Sequence, residues 1–150
     1  MTEALRRKTA IVGIGATEFS ADSGRSEQRL AAEAVLAALE DAGLDPDDAD
    51  GIVNSDYDAT NQIDVINSVG LRNIQGYATI SHGGGSPCGT VAQAAMMVAS
   101  GACSCVVAYR SLNERSGHRY GSSEPVPGFP WVYGLHAPYG LIVPAEWTAM

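Results

Sequence analysis

Several features that mark particular classes of protein are scarce or absent in this chain of 150 residues. No apolar run approaches the roughly 18 residues of a membrane-spanning helix, and the charged start, Met1–Lys8, is not followed by the apolar stretch of a signal peptide. The three cysteines are an odd number without a CxxC pair, which argues against a disulfide framework and against a zinc site. These absences predict a cytoplasmic protein.

Basic residues are also few, because nine lysines and arginines face 17 acidic residues for a net charge of −8. Such a balance argues against nucleic acid or an anionic membrane as the main partner. The acidic stretch around Asp45-Pro46 is better explained as a solvated helix cap than as a metal site. The apolar fraction of 45% is large enough to build a core, so the chain is not disordered overall.

Hydrophobic periodicity predicts alternating strands and helices. The i, i+4, i+8 stripe from Leu30 to Ala42, between Ser26 as N-cap and Gly43 as stop, predicts a helix. The alternation as a whole predicts an α/β layered domain with a largely parallel sheet. The predicted strands are a buried first strand at Thr9–Thr17, then Gly51–Ser55, Tyr77–Ser81 and Ser104–Tyr109, with further helices around Ile63–Val69 and Pro87–Ser100.

The helix predicted at Pro87–Ser100 is apolar around its whole circumference, with only Thr90, Gln93 and Ser100 as polar exceptions after its first turn. A helix that is apolar on every side is expected to be buried on every side. At about 14 residues it is too short to span a membrane, so we expect it between two layers of the protein.

From Ser111 onward the regular pattern ends, and this segment holds five of the seven prolines and six of the ten aromatic residues. Long irregular segments in compact domains are usually functional or are insertions. We therefore predict one structural part at 1–110 and the beginning of a loop domain at 111–150. Because Pro144–Met150 resembles the start of a new helix, we expect the chain to continue within a larger fold.

Gly13-Ile14-Gly15 follows the first predicted strand and invites comparison with the dinucleotide-binding fingerprint. The third glycine position holds Glu18, whose carboxylate would repel a pyrophosphate, and a mostly polar stretch to Arg25 delays the helix. A glycine turn after a buried strand explains the motif better.

The stretch from His82 to Cys88 is the strongest candidate site. Its glycines, Gly83, Gly84 and Gly85, allow close approach of a ligand to the backbone, and with Ser86 they lead into a helix whose first N–H groups are free to bind an oxyanion or a thioester carbonyl. An esterase oxyanion loop is disfavoured because no GxSxG motif is present. Tight packing of the helix explains the three glycines equally well.

The remaining nucleophilic and titratable residues give weaker signals. Cys88 would occupy the second helical position, where the helix dipole favours a thiolate, but a buried apolar role is the preferred interpretation. Cys103 and Cys105 are placed on one face of a strand, in the core. His118 and His136, both in the irregular segment, and His82 are weak candidates for proton transfer.

At this point the sequence resembles a known family. The stretch CGTVAQAAMMVASGACSCVVAYRS, from Cys88 to Ser111, resembles the N-terminal half of a thiolase fold. VGIGATEFS near the start, YRSLNERSGHRYG from Tyr109 and PYGLIVPAEWTAM from Pro138 are similar to thiolase-like enzymes of the lipid-transfer-protein type. These include sterol carrier protein thiolases and bacterial steroid side-chain aldolases. The resemblance implies a layered αβαβα fold with a mostly parallel sheet, a buried central helix and an irregular loop domain.

The sequence departs from the thiolase pattern at the nucleophile. Thiolases place a cysteine seventeen residues before the glycine that ends the buried helix, and counting back from Gly101 leads to Gly84. Cys88 lies four positions later and does not match. Without that thiolate, thiolysis is disfavoured, and the retro-aldol cleavage of a β-hydroxyacyl-CoA fits better.

The resemblance further implies a steroid-CoA substrate that releases propionyl-CoA and a 17-ketosteroid, a partner of the DUF35 type with an OB-fold, and a homodimer joined at Tyr77–Ser81. Acid and base residues would come from a C-terminal half beyond these residues, and Tyr120, Trp131 and Tyr139 would help to wall the acyl pocket. No metal is expected, and no cofactor, since CoA is part of the substrate. The alternatives are a 3-ketoacyl-CoA thiolase that uses Cys88 and a non-catalytic subunit that binds lipid or acyl-CoA.

Overall fold

The computed structural model describes residues 6–20, 22–58, 60–81 and 85–113. Within them three parallel strands form a sheet in the order β2-β1-β3, and Gly51 at the start of β1 pairs with Gly76 on one side and Val106 on the other. The predicted α/β class with a parallel sheet is confirmed. The helices are α1 (Glu27–Ala42), α2 (Gln62–Val69) and α3 (Ser86–Ala99), and the strands are β1 (Gly51–Ser55), β2 (Gly76–Ile80) and β3 (Val106–Ala108).

The ends of the helices follow from local chemistry. The Ser26 hydroxyl accepts a hydrogen bond from the N–H of Arg29 and so caps the first turn of α1. Gly43 at φ 67° and Gly70 at φ 84° end α1 and α2 in the left-handed conformation, which costs glycine little. The predicted cap before Pro46 is a short 3-10 turn at Pro46–Asp48. These predicted ends are confirmed.

The sheet has a helical layer on each face. Successive residues of β1 point to opposite sides, so Ile52 joins the core formed with α1 and α2 while Val53 joins the core beneath α3. Both side chains are fully buried, and a strand that is buried along its whole length is typical of a parallel sheet covered on both faces. The first core contains Ala31, Val35, Leu39, Val65, Val69, Leu71 and Tyr109, and the second contains Met97 and Cys103.

Asp50 joins the beginnings of the three strands. Its carboxylate accepts hydrogen bonds from the N–H groups of Ser104 (2.8 and 2.9 Å) and Cys105 (2.9 Å), just before β3. Its carbonyl accepts from the N–H groups of Gln75 and Gly76, at the start of β2. One residue therefore closes the amino edge of the sheet, the edge at which the parallel strands begin.

The first predicted strand is not formed. Thr9–Thr17 has no strand conformation, and the side chains of Ile11 and Ile14 are 73% and 75% exposed. A strand requires a partner edge for its backbone groups, and a cavity of about 770 Å³ separates this segment from β3. The prediction of a buried first strand is wrong for this reason.

The expected glycine turn in that segment is also wrong. Neither Gly13 nor Gly15 has a positive φ, and both lie against the backbone of α1. A Cβ on Gly13 would come within 2.1 Å of the carbonyl oxygen of Ala38, and one on Gly15 within 2.1 Å of that of Ala34. The glycines are needed for this close approach.

Helix α3 is buried on one face only. Ser86, Thr90 and Met97 are buried beside the sheet, whereas Val91 and Met96 are 47% and 43% exposed. The prediction of burial on every side is therefore wrong for the described residues, because they supply one sheet and no second layer to cover the other face. No helix among them combines the length and apolar character needed to cross a bilayer.

The predicted boundaries of the later elements shift by one to two residues at most ends, and β3 is shorter than expected, at Val106–Ala108. The predicted loop domain, 111–150, lies outside the described residues except for 111–113. The division of the chain at 110 stays a prediction.

Candidate functional site

A polar pocket of about 380 Å³ opens at the carboxyl edge of the sheet, where β1 and β2 end. Ligands of parallel α/β sheets usually bind outside this edge, since loops and helix starts converge there. The pocket is lined by Asn54, Ser55, Asp56, Asp58, Thr60, Asn61, Gln62, Ile63 and Thr79. We take it, together with the start of α3 and the chain leaving β3, as the candidate site.

Amide and hydroxyl groups form the floor of this pocket. The Asn54 side-chain oxygen accepts hydrogen bonds from Gln62 Nε2 at 2.8 Å and from Thr79 Oγ1 at 2.9 Å. Gln62, the first residue of α2, also donates to the carbonyl of Ala78 at 2.6 Å. These bonds join β1, β2 and α2, and among the described residues no buried side-chain polar atom lacks a partner. The pocket floor is therefore preorganised.

Tyr109 continues this network behind the pocket. Its buried hydroxyl accepts a hydrogen bond from Thr60 Oγ1 at 3.4 Å, and it also contacts the Asn54 side chain. Burial raises the pKa of the Tyr109 phenol above its ordinary value, more than the two hydrogen bonds lower it. The side chain therefore stays neutral and serves as a fixed polar group.

Asp58 connects β1 with the chain leaving β3. Its carboxylate, wholly inaccessible to solvent, accepts the N–H of Ser55 at 3.0 Å and the N–H of Ser111 at 3.2 Å. Arg110 Nε lies 3.9 Å from the same carboxylate. Burial raises the pKa of Asp58, and this effect exceeds the opposite effects of the two N–H groups and of Arg110.

The start of α3 is held to the end of β1 by two serines. Ser55 Oγ and Ser86 Oγ are 2.7 Å apart, and both residues are buried. Gly85, directly before the helix, is exposed, and a Cβ there would meet no atom within 4 Å. Tight packing therefore does not explain a glycine at this position, while Gly83 and Gly84 lie outside the described residues.

The cysteines differ from their predicted environments. Cys88 is the third residue of α3 and is exposed, so the prediction of a buried apolar role is wrong. Cys103 and Cys105 precede β3 and pack into opposite cores, so they do not share a face of the sheet. Burial raises the pKa of both thiols, and the nearby Asp50 carboxylate raises it further. Cys88 is the most exposed of the three cysteines.

A second, apolar cavity of about 770 Å³ lies beside the outer edge of β3. Its walls come from the segment 8–15, from one side of α1, from α3 and from β3 itself. β3 is an edge strand of the described sheet, so every second backbone N–H and C=O points towards this cavity. The cavity is thus apolar in its side chains and polar along one wall.

Of the predicted site residues, the structure describes Gly85, Ser86 and Cys88. Sequence reasoning missed Asn54, Asp58 and the rest of the polar pocket, although the run Asn54–Asp58 directly after a strand is a signal that could have found it. The other predicted residues lie outside the described part of the chain: His82, Gly83, Gly84, Tyr120, Trp131, His136 and Tyr139.

No protein-family model matches the chain. It is 49% identical over 146 residues to a steroid side-chain-cleaving aldolase of Thermomonospora curvata, a match that covers 94% of this chain and 37% of that protein. It is 47% identical over 151 aligned positions to 17-hydroxy-3-oxo-4-pregnene-20-carboxyl-CoA lyase of Mycobacterium tuberculosis, covering 97% of this chain and 39% of that protein.

A solved structure described as Ltp2-ChsH2(DUF35) aldolase matches 94% of this chain and 36% of its own chain, with 49% identity and a TM-score of 0.73. The chain thus spans less than two fifths of the length of the curated relatives that it matches. Nearly all of the present sequence is similar to part of a protein named as a steroid side-chain-cleaving aldolase and part of another named as a CoA lyase.

Proposed function

We propose that the protein acts in a carbon–carbon lyase that cleaves the side chain of a steroid carried as a CoA thioester. The observation that carries this proposal is the identity of 49% and 47%, over 94% and 97% of the chain, with two proteins named for that activity. The sequence resemblance to thiolase-like aldolases, based on its own motifs, leads to the same activity.

The proposed reaction is a retro-aldol cleavage. A base removes the proton of the β-hydroxyl group, the bond between Cα and Cβ breaks, and its electron pair passes into the thioester as an enolate. The carbonyl that forms at Cβ leaves as the 17-ketosteroid, and an acid then protonates Cα to give propionyl-CoA. The enzyme must supply a base, an acid and hydrogen-bond donors for the enolate oxygen.

The carboxyl edge supplies part of this arrangement. The bond between Ser55 and Ser86 holds the start of α3 beside the polar pocket. The loop Gly83–Ser86 is proposed to hold the thioester there through backbone N–H groups, and Tyr120, Trp131 and Tyr139 are proposed to wall the acyl chain. Catalytic acid and base are proposed to lie beyond these residues, with His82 and His136 as weaker candidates.

The apolar cavity beside β3 is not assigned to the steroid. Outward-facing backbone groups of this edge strand line one wall, and a hydrocarbon ring system would leave them without partners. The polar pocket has no such conflict for the thioester end of a substrate.

A thiolase-like αβαβα layering and two kinds of partner belong to this proposal. The exposed apolar face of α3, with Val91 and Met96, suits a further layer. β2 is an edge strand of the described sheet with an exposed Tyr77 and no charged residue, which suits pairing with a second copy. A DUF35-type OB-fold partner is proposed because the similar solved structure is described as Ltp2-ChsH2(DUF35) aldolase.

The direct test is an assay of the full polypeptide, co-expressed with its DUF35-type partner, on a β-hydroxyacyl steroid-CoA. We expect equal amounts of propionyl-CoA and ketosteroid by mass spectrometry, without added free CoA. Absence of both products would reject the proposal, and binding of the thioester without turnover would favour the non-catalytic subunit.

A 3-ketoacyl-CoA thiolase is the second candidate, favoured by the exposure of Cys88 at the carboxyl edge. Thiolysis needs free CoA and a cysteine nucleophile. Replacing Cys88→Ala is expected to leave cleavage of the β-hydroxyacyl substrate unchanged. Loss of activity in this variant, together with a requirement for free CoA, would support the thiolase instead.

A further inference from the structure

The charge distribution of the candidate site presents a difficulty for any CoA ester. Coenzyme A carries several negative charges on its phosphates, whereas the chain has a net charge of −8 and the polar pocket is lined by Asp56 and Asp58. Binding an anion at this edge requires a cation that is not already neutralised by neighbouring carboxylates.

Most basic residues of the described part do not meet this need. Arg25 is paired with both Glu18 and Glu33, and Arg29 is paired with Glu33. Arg72 lies towards the amino edge and is paired with Asp47. Arg6, Arg7 and Lys8 also lie towards that edge, because they precede Gly13, which packs against Ala42 at the end of α1.

Arg110 lies at the carboxyl edge, two residues after the end of β3, where it lines the cavity beside that strand. Its Nε is 3.9 Å from the Asp58 carboxylate, and the side chain is 44% exposed. A long, half-exposed ion pair of this kind adds little to folding stability. Among the described residues the ion-pair partner of Arg110 is Asp58, which it approaches through Nε, and this leaves the two terminal amino groups available to bind an anion.

The backbone on both sides of Arg110 is fixed. The N–H of Tyr109 donates to Val53 of β1, and the N–H of Ser111 donates to Asp58. The Ser111 hydroxyl donates to the carbonyl of Glu27 at 2.6 Å, at the start of α1. A side chain on such a support loses less entropy when it binds a ligand than one on a free loop.

Resting on the proposed function, we propose that Arg110 binds a phosphate of the CoA moiety and that the buried Asp58 is the positioning residue that orients it. Asp58 fixes the main chain through Ser111 and faces Arg110 Nε, so that the terminal amino groups are presented to the ligand. Asp58 itself does not touch the ligand, since its carboxylate is wholly buried.

The test measures binding of coenzyme A itself to the full polypeptide and its partner by isothermal titration calorimetry. Arg110→Gln is expected to weaken binding about tenfold at low salt, because one charge-assisted contact is lost, and the difference should shrink in high salt. Arg110→Lys, which keeps the charge, should recover part of the affinity. Arg72→Gln is the matched control, because it removes the same charge from an ion pair of 3.8 Å at the other edge.

Asp58→Asn separates positioning from simple electrostatics. Removing a carboxylate near an anion should strengthen binding if charge alone matters, whereas loss of the positioning contact should weaken it about threefold. Asp50→Asn, at the amino edge, is the control for a general loss of stability. If Asp58→Asn does not fold, Asp58→Glu replaces it, since it keeps the charge but shifts the acceptor oxygens, and it too should weaken binding.

Equal or tighter binding by the Asp58 variant would overturn the positioning role, and unchanged binding by Arg110→Gln would overturn the phosphate contact. Because binding is measured without turnover, the outcomes remain separable from the proposed reaction. If the protein cleaves the steroid-CoA but Arg110→Gln binds coenzyme A as tightly as the parent, the inference about Arg110 is rejected and the proposed lyase activity is not. If Arg110→Gln binds coenzyme A more weakly but the parent protein does not cleave the steroid-CoA, the proposed lyase activity is rejected and the inference about Arg110 is not.

Discussion

Two aspartates hold opposite edges of the same sheet, and they do so in different ways. Asp50, at the amino edge, accepts three short hydrogen bonds from two neighbouring N–H groups and is half-exposed. Asp58, at the carboxyl edge, accepts two hydrogen bonds with a wholly buried carboxylate, and burial raises its pKa. Asp50 thus joins the strands at the amino edge, while at the carboxyl edge a buried carboxylate lies beside a pocket.

The same contrast extends to the surroundings of each edge. Around Asp50 the partners are backbone groups, which leave little polar surface for a ligand. Asp58 also accepts from backbone groups, but beside it the side chains of Asn54, Gln62 and Thr79 are hydrogen-bonded to one another about an open pocket of about 380 Å³. Titratable groups whose pKa values are shifted by burial are common at binding sites, which supports assignment of the carboxyl edge to function.

The largest expected effect concerns stability. Asp50→Ala should lower the free energy of unfolding by about 2 to 4 kcal/mol, because the N–H groups before β3 lose their acceptor. Asp58→Ala should cost less, since the cost of burying its charge offsets part of its hydrogen bonding. Urea unfolding of both variants measures the two values. A larger loss for Asp58→Ala would contradict the division of roles between the edges.

Cysteine labelling compares the edges by access. Cys88 at the carboxyl edge is exposed, whereas Cys103 and Cys105 at the amino edge have pKa values raised by burial. We expect Cys88 to react with a thiol-specific disulfide reagent at least about tenfold faster than the other two. Replacing Cys88→Ala should remove the fast phase and leave the slow phase. Equal rates for the three thiols would show that the start of α3 is covered.

The serine pair at the carboxyl edge should make a smaller contribution. Ser55→Ala and Ser86→Ala each remove one partner of a buried hydrogen bond of 2.7 Å. A double-mutant cycle by chemical denaturation should give a coupling energy of about 1 kcal/mol. A coupling near zero would mean that this bond does not hold α3 to β1.

The smallest effect is a pH dependence from Asp58. Since burial raises its folded pKa above the ordinary 3.8, the native state holds this proton to higher pH than the unfolded state. Its contribution to stability is present below the ordinary value and is lost as pH rises through the raised folded value. The melting temperature of the parent protein, relative to that of Asp58→Asn, should therefore fall as the pH rises from acid to neutral.

A relative melting temperature that rises over this range would mean that the hydrogen bonds from Ser55 and Ser111 outweigh burial at Asp58. The comparison uses Asp58→Asn because the amide has a similar shape and does not titrate. Circular dichroism melts at matched ionic strength measure it, with Asp50→Asn followed in parallel as the variant at the other edge.

Much of the fold was predictable because its signals are local. Ser26 and Gly43 set the ends of α1, and Gly70 ends α2, through contacts within a few residues. The run Gly51–Ser55 predicted a strand, and β1 forms there because strands pair with it on both sides. Thr9–Thr17 is likewise rich in apolar and β-branched residues, but within the described part of the chain it has no paired edge, and composition alone does not supply one.

The candidate site was only partly predictable. Gly85 and Ser86 were found because glycines before a helix are a sequence signal, but the polar pocket unites residues that are far apart in the chain. Asn54 and Thr79 are 25 positions apart, and Asp58 and Ser111 are 53 positions apart. No spacing rule predicts such contacts, since they depend on the order of strands in the sheet.

The sequence by itself determined the charge, the alternation of helices and strands, and the residues at which most helices end, because these depend on composition and on neighbours along the chain. Tertiary structure decided which face of α3 is exposed, that Cys88 lies in contact with solvent, and that Asp58 meets Ser111 and Arg110. Pairing of β1 with both β2 and β3 is the reason, because it places the chain segments that follow those strands at a common edge.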